Sequence, residues 1–130
     1  MNLFYSIVEY KNILSNSSVP LGVVLHDGNK VHFKFDLSSE KLNKILEIGV
    51  NVDPDTFFNL GKTFQQDYLN REIIITTDSN GNKIEFRPSD LSFLDYLHIY
   101  KKGAYRYTEK QPIIGNVEPE KALKQIINSI

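Results

Sequence analysis

The side chains best suited to chemistry fall in two places. The run Lys101-Lys102-Gly103-Ala104-Tyr105-Arg106-Tyr107-Thr108-Glu109-Lys110 puts four cations and two tyrosines into ten residues, with Tyr100 just ahead of them. Lysine and arginine take phosphate, and tyrosine stacks on a base. Lys101, Lys102, Tyr105, Arg106 and Lys110 are therefore candidate ligand-binding residues for a nucleic acid or a nucleotide phosphate. The ordinary alternative is a helix that ends on lysines, where cations suit its dipole, followed by a strand that tucks both tyrosines inward. In such a strand Arg106 faces away from Tyr105 and Tyr107, so stacking and charge act on different ligands. The expectation is buried tyrosines and an Arg106 that is solvent-facing or paired with an acid.

The second place holds His26 and His32, the only close pair among the three histidines. Two imidazoles with Asp27 or Asp36 nearby make a candidate site for a divalent metal. No third ligand has a recognisable spacing, although a catalytic zinc takes three protein ligands plus water. The ordinary alternative is a pair of histidines on the solvent face of a hairpin. Glu9-Tyr10-Lys11 has the acid-x-Lys pattern of restriction-type nucleases, but no partner acid precedes it. The chain has no Walker loop, no GxGxxG, no GxSxG and no HExxH. With no cysteine it has no disulfide, thiolate metal site or cysteine nucleophile. The residues nominate no cofactor and no catalytic group, which turns the reading away from an enzyme.

These residues belong to a chain of 130, the length of one domain. It is 41% hydrophobic and 24% charged, a globular composition, with a net charge of -1 that excludes a whole-surface basic field. No apolar run approaches the roughly 20 residues of a membrane span, and Met1-Asn2-Leu3 lacks the cationic start of a signal peptide. The expected location is the cytoplasm.

Residues 3–10, LFYSIVEY, have strand composition, and the polar KNILSNSS after them reads as a loop. PLGVVLH and VHFKF flank Asp27-Gly28-Asn29, a strong hairpin signal. A three-residue turn pairs Leu25 with Val31, Val23 with Phe33 and Leu21 with Phe35. That register puts six apolar residues on one face and both histidines on the other. Ser38 or Ser39 can cap a helix carrying Leu42, Ile45 and Leu46. Asp53-Pro54 is a capping pair ahead of Phe57, Leu60, Gly61, Phe64 and Tyr68, one helical face in which Gly61 permits close approach of another element. Strands follow at 72–77 and 83–87. A helix carries Leu91, Leu94 and Leu97, a short strand runs from Ala104 to Thr108, and a last helix opens at Pro119. Strands, helices, a hairpin and helices in that order predict a single α+β domain over 1–130, with an antiparallel sheet and helices packed mainly on one face.

Two stretches together resemble a bacterial family of unknown function, domain of unknown function three-zero-three-seven. Its members open with a Y-x-hydrophobic-hydrophobic-R-Y strand and an N-V-G-V-hydrophobic-L strand. Tyr5, Ile7, Val8 and Tyr10 fit the first, and Gly22, Val23, Val24 and Leu25 fit the second. Tyr105-Arg106-Tyr107-Thr108-Glu109, Pro112, Gly115 and a helix with Leu123 resemble the family's end. Glu9 stands where arginine is common, and Pro20-Leu21 where Asn-Val is common. The resemblance implies a neighbourhood of HipA-like kinases, and so a toxin–antitoxin, phage-defence or partner-protein setting. The function expected is a non-enzymatic protein-interaction module in a bacterial or phage stress or defence context. The alternative is a nucleic-acid or nucleotide-phosphate binder at Lys101–Lys110, and the third reading a small metal-dependent enzyme at His26 and His32.

Overall fold

A computed structural model of the protein describes residues 2–103 and 105–130. The chain is α+β, as the order of elements predicts. Its strands are β1 (Leu3–Asn12), β2 (Ser17–His26), β3 (Val31–Phe35), β4 (Ile74–Thr77), β5 (Lys83–Phe86), β6 (Tyr105–Tyr107) and β7 (Gln111–Ile113). Its α-helices are α1 (Ser39–Glu47), α2 (Pro54–Phe58), α3 (Leu60–Phe64), α4 (Ser92–Tyr100) and α5 (Pro119–Ser129), with a π-helical turn at Gln65–Leu69. The expected start of β6 at Ala104 lies outside the described residues.

The main sheet runs β3-β2-β1-β6, all antiparallel, and β7 continues the β6 edge along β1. Thr108 closes the gap between β6 and β7: its N–H donates to the Ile7 carbonyl at 2.9 Å, and its Oγ1 accepts from the Ile7 N–H at 2.8 Å. One face of the sheet carries the larger core, including Leu42, Ile45, Phe57, Leu60, Phe64, Phe93, Leu94 and Leu97 from α1 to α4. The other face packs Leu3, Val23 and Leu25 against Ala122 and Leu123 of α5. Helices thus lie mainly on one face. No helix among the described residues is long and apolar enough to cross a membrane.

Several start signals act as read. Ser38 caps α1, its side chain accepting from the Lys41 N–H, and Asp53 caps α2 by accepting from Thr56. The helix behind Asp53-Pro54 is segmented, however. Asn59 turns its side-chain amide onto the Asp55 carbonyl at 2.8 Å, competing with the backbone where α2 gives way to α3. The apolar stripe survives the break, since Phe57, Leu60 and Phe64 are all buried.

The β2–β3 register differs from the expected one. His26 pairs with Val31, Leu25 with His32 and Val24 with Phe33, so the loop has four residues, Asp27 to Lys30. Val23 and Leu25 face α5, whereas Val31, Phe33 and Phe35 face the larger core. The matching of apolar faces failed because β2 is buried on both sides from Leu21 to His26, leaving no solvent face to choose against. Local turn chemistry decides instead. Asp27 Oδ1 accepts from the N–H groups of Asn29 at 2.8 Å and Lys30 at 2.9 Å, while Gly28 takes φ +97°.

The loop expected at residues 11–18 is also a tight hairpin. β1 and β2 pair out to Asn12 and Ser17. Asn12 Oδ1 accepts from Leu14 at 3.0 Å, and Asn16 takes the left-handed φ of 58°. The tip leaves Leu14 98% exposed.

Candidate functional site

The last turn of α4 borders a concave surface lined by aromatic and basic side chains. The helix ends at Tyr100, and the Lys101 N–H still donates to the Leu97 carbonyl at 3.2 Å before the chain turns. A single bridge between Lys102 and Arg106 folds the segment back. The Lys101 ammonium rests 5.8 Å from the centroid of the Tyr68 ring and 5.6 Å from that of Tyr96, close enough for cation–π attraction. Its side chain lines two clefts. One, of about 520 Å³, is lined by Tyr68, Tyr100, Tyr105, Tyr107, Lys101 and Lys102. The other, of about 350 Å³, is lined by Asp67, Tyr68, Arg71, Ile74, Ile75, Tyr96 and Lys101. Five of the seven tyrosines converge here.

Burial pushes the Tyr105 hydroxyl up to about 12 and raises those of Tyr68 and Tyr107 as well. All three are neutral phenols at physiological pH, hydrogen-bonding groups rather than nucleophiles. Tyr107 is 3% exposed, and its hydroxyl has no hydrogen-bond partner among the described residues. Tyr105 lies near that hydroxyl without meeting hydrogen-bond geometry. The arrangement offers ring faces, phenol donors and two ammonium groups, which is the chemistry of binding an acidic or aromatic group.

The five residues of the basic segment do not act as one. Lys101, Lys102 and Tyr105 share the larger cleft. Arg106 points to the other side of the sheet, opposite Glu9, and its Nε donates to the Gly103 carbonyl at 2.9 Å. Lys110 pairs with Asp95 at 3.0 Å and sits above the Phe4 ring, away from the cleft. Tyr107 is buried and Tyr105 half-buried, its ring packed against Tyr10 and Tyr107. The spacing missed Arg71, Asp67 and the role of Tyr68, which read as one more apolar position of a helix. The π-helical turn carries Asp67 and Tyr68 to the cleft, and no local pattern announces such a turn.

The two histidines part company. The one-residue difference in register puts His26 on the larger-core face and His32 on the α5 face, so they are not neighbours on one surface. His26 is fully buried. Its Nδ1 accepts from the Gly28 N–H at 3.0 Å, which leaves Nε2–H to donate to the Pro88 carbonyl at 2.9 Å. Both ring nitrogens are used, and none is left to ligate a metal. His32 Nε2 meets Asp27 Oδ2 at 2.8 Å, and its Nδ1 lies 3.7 Å from Glu120. Burial opposes ionisation of Asp27, but the bond from His32 and the Asn29 and Lys30 N–H groups hold its carboxyl down at about 2. Among the described residues no three His, Cys, Asp or Glu side chains are grouped to hold a metal ion.

Burial lowers the His26 pKa below its ordinary 6.5, with the Pro88 bond opposing the shift. The unfolded chain therefore takes up a proton near pH 6.5 that the native chain refuses, and stability falls as the pH drops from about 6.5 toward the native value. A ring-carbon NMR titration should give His26 a midpoint below 6.5. A midpoint at or above that value would mean that one ring nitrogen meets solvent in the native state.

Comparison of the chain with family models, with curated proteins and with solved structures finds no match.

Proposed function

We propose that this protein is a non-catalytic protein-interaction module whose tyrosine- and lysine-lined face takes an acidic segment of a partner protein. The carrying observation is the pair of clefts that share Tyr68 and Lys101. Tyrosine and arginine are the residues that protein interfaces concentrate, because they offer large, rigid area with a polar end. Tyr100 and Ile75 stand exposed at the rim, and the ammonium groups of Lys101 and Lys102 favour acidic groups over basic ones. The bacterial or phage stress or defence setting comes from the family resemblance, which nominates a HipA-like kinase as the first partner to try.

Nucleic-acid binding fits less well. The Lys101 ammonium already covers the Tyr68 ring, Tyr105 packs on its neighbours, and Arg106 lies on the other side of the sheet. The Tyr68 and Tyr105 ring faces are therefore already occupied, and Arg106 adds no charge beside them for a stacked base.

The test is affinity capture from the native host, read by mass spectrometry, with the captured partner then titrated against variants. Tyr100→Ala and Lys101→Glu should each weaken that partner at least about tenfold, while Arg106→Ala and Lys110→Ala leave it within about twofold. Equal binding by all four variants would sink the reading. So would tight binding of a single-stranded oligonucleotide that collapses with salt and with Lys101→Ala/Lys102→Ala/Arg106→Ala, which would instead establish the nucleic-acid one.

A further inference from the structure

Two adjacent phenols in the larger cleft are one hydrogen bond short. The Tyr107 hydroxyl is buried and has no partner among the described residues, and a buried hydroxyl without an acceptor costs free energy. The Tyr105 hydroxyl lies beside it, with the ring centroids 5.4 Å apart. Each phenol carries one proton. If Tyr107 donates to the Tyr105 oxygen, the Tyr105 proton has to point elsewhere, and Tyr105 lines the cleft. An acceptor in the cleft completes the chain from Tyr107 through Tyr105 to the ligand, and each bond in such a chain strengthens the next. A donor there would leave the Tyr107 proton without an acceptor. Tyr105 is thus the binding group, and Tyr107 positions its proton.

The charges select the acceptor further. Lys101 and Lys102 line the same cleft, and its other lining residues include no acid and no arginine among the described residues. Neither ammonium pairs with a carboxylate among the described residues. The Tyr68 and Tyr96 rings hold Lys101 in position. Arg71 belongs to the smaller cleft and Arg106 to the other side of the sheet. A guanidinium fork matches a planar carboxylate, whereas ammonium groups and a phenol are single-point donors that can close on a tetrahedral group from different sides. Tyr105, Lys101 and Lys102 are three such donors with two positive charges between them. A phosphate monoester brings three terminal oxygens and a charge of about −2. A carboxylate, like a phosphodiester of nucleic acid, brings a single charge.

We propose that the acid seated in the larger cleft is a phosphoryl group on a side chain of the partner's segment, so that phosphorylation of the partner switches docking on. The inference rests on the reading of this face as a docking surface for an acidic segment. The volume of about 520 Å³ leaves room for the side chain that carries the phosphoryl group.

Capped phosphoserine, capped glutamate and inorganic phosphate, each titrated into the whole chain and followed by NMR, test the chemistry. Phosphoserine should shift the Tyr105 and Lys101 signals and bind at least about tenfold tighter than glutamate. Tyr105→Phe keeps the ring and removes the donor. It should weaken phosphoserine about tenfold, as loss of a bond to a charged group does, with an unchanged circular-dichroism spectrum. Lys102→Ala should weaken it by a similar factor, and Arg106→Ala should leave it within about twofold. Phosphoserine that binds no tighter than glutamate, or that is indifferent to Tyr105→Phe, would overturn the proposal. Inorganic phosphate bound as tightly as phosphoserine would also overturn it, because the cleft would then serve free phosphate. The partner captured on this face separates the inference from the docking reading. Phosphatase treatment of that partner should weaken it at least about tenfold. A partner that needs Tyr100 and Lys101 but is indifferent to phosphatase would keep the docking face and overturn the phosphoryl group. A partner indifferent to Tyr100→Ala and Lys101→Glu would overturn the docking face itself.

Discussion

Gly22→Ala should destabilise the protein by about 3 kcal/mol or more, the upper end of the range for overpacking a filled site. Gly22 lies in β2 between Val8 of β1 and Phe35 of β3. The Phe35 ring lies over its α-carbon in the space that a side chain would take, and a Cβ there would also come within 2.9 Å of the Lys34 carbonyl. The ring can be displaced only by giving up its contacts with Phe33 and Phe64, and the carbonyl belongs to the ladder and cannot be displaced cheaply. Gly61 is the control. A Cβ there would sit 3.8 Å from Phe33 and 3.9 Å from Phe35, ordinary contact distances. Gly61→Ala should be neutral or stabilise by up to about 1 kcal/mol, the helix preference for alanine over glycine. Urea denaturation of both variants gives the comparison. A Gly22→Ala protein within about 1 kcal/mol of the wild type would mean that Phe35 is not seated over β2.

That contrast shows where local pattern informs and where it stops. Gly61 sits in a readable helical stripe, so it attracts attention as the glycine of close approach, yet the tight contact is at Gly22. Gly22 is tight because Phe35 is its direct cross-strand partner, and a bulge lies beside it. β1 pairs Val8 with Gly22 but Glu9 with Pro20, leaving Leu21 as an extra residue that turns inward. Pro20 lies there without cost, beyond the end of β3, with its carbonyl receiving the Lys41 ammonium at 2.8 Å. Periodicity cannot see an inserted residue when both faces of the strand are apolar. Capping, by contrast, is decided within four residues, and so Ser38 and Asp53 announce their helices correctly.

The candidate site divides along the same line. Lys101, Lys102 and Tyr105 are close in sequence and share a cleft. Arg106 and Lys110 are equally close in sequence and leave it, one by strand alternation and one through its bond to Asp95. Alternation from Tyr105 is legible, and it separates Arg106 from the tyrosines in advance. The contribution of Tyr68 and Arg71 is not legible, because it needs the π-helical turn and the packing of that turn against α4. His26 and His32 show how a one-residue error in register propagates to chemistry. It converts a buried, doubly bonded imidazole into an apparent surface ligand.

Phe64→Ala should cost about 3–5 kcal/mol, as truncation of a buried phenylalanine typically does. Phe64 is 2% exposed at the end of α3. Its ring centroid lies 4.9 Å from that of Phe33, 5.7 Å from Phe35, 5.1 Å from Tyr68 and 6.4 Å from Tyr107. It therefore joins β3 to the floor of the larger cleft, and the void left by alanine would lie under both tyrosines. For a chain of this length the loss corresponds to a fall in melting temperature of about 10 °C or more. Phe57→Ala removes an equally buried ring whose aromatic neighbour is Phe58, outside the cleft. The two variants should lose similar stability, and at a temperature where both remain folded only Phe64→Ala should also weaken a partner bound at the face shared by Tyr68 and Lys101. Equal binding by the two would show that the cleft does not depend on its floor. A Phe64→Ala protein as stable as the wild type would show that the helical stripe and the sheet are not packed through this ring.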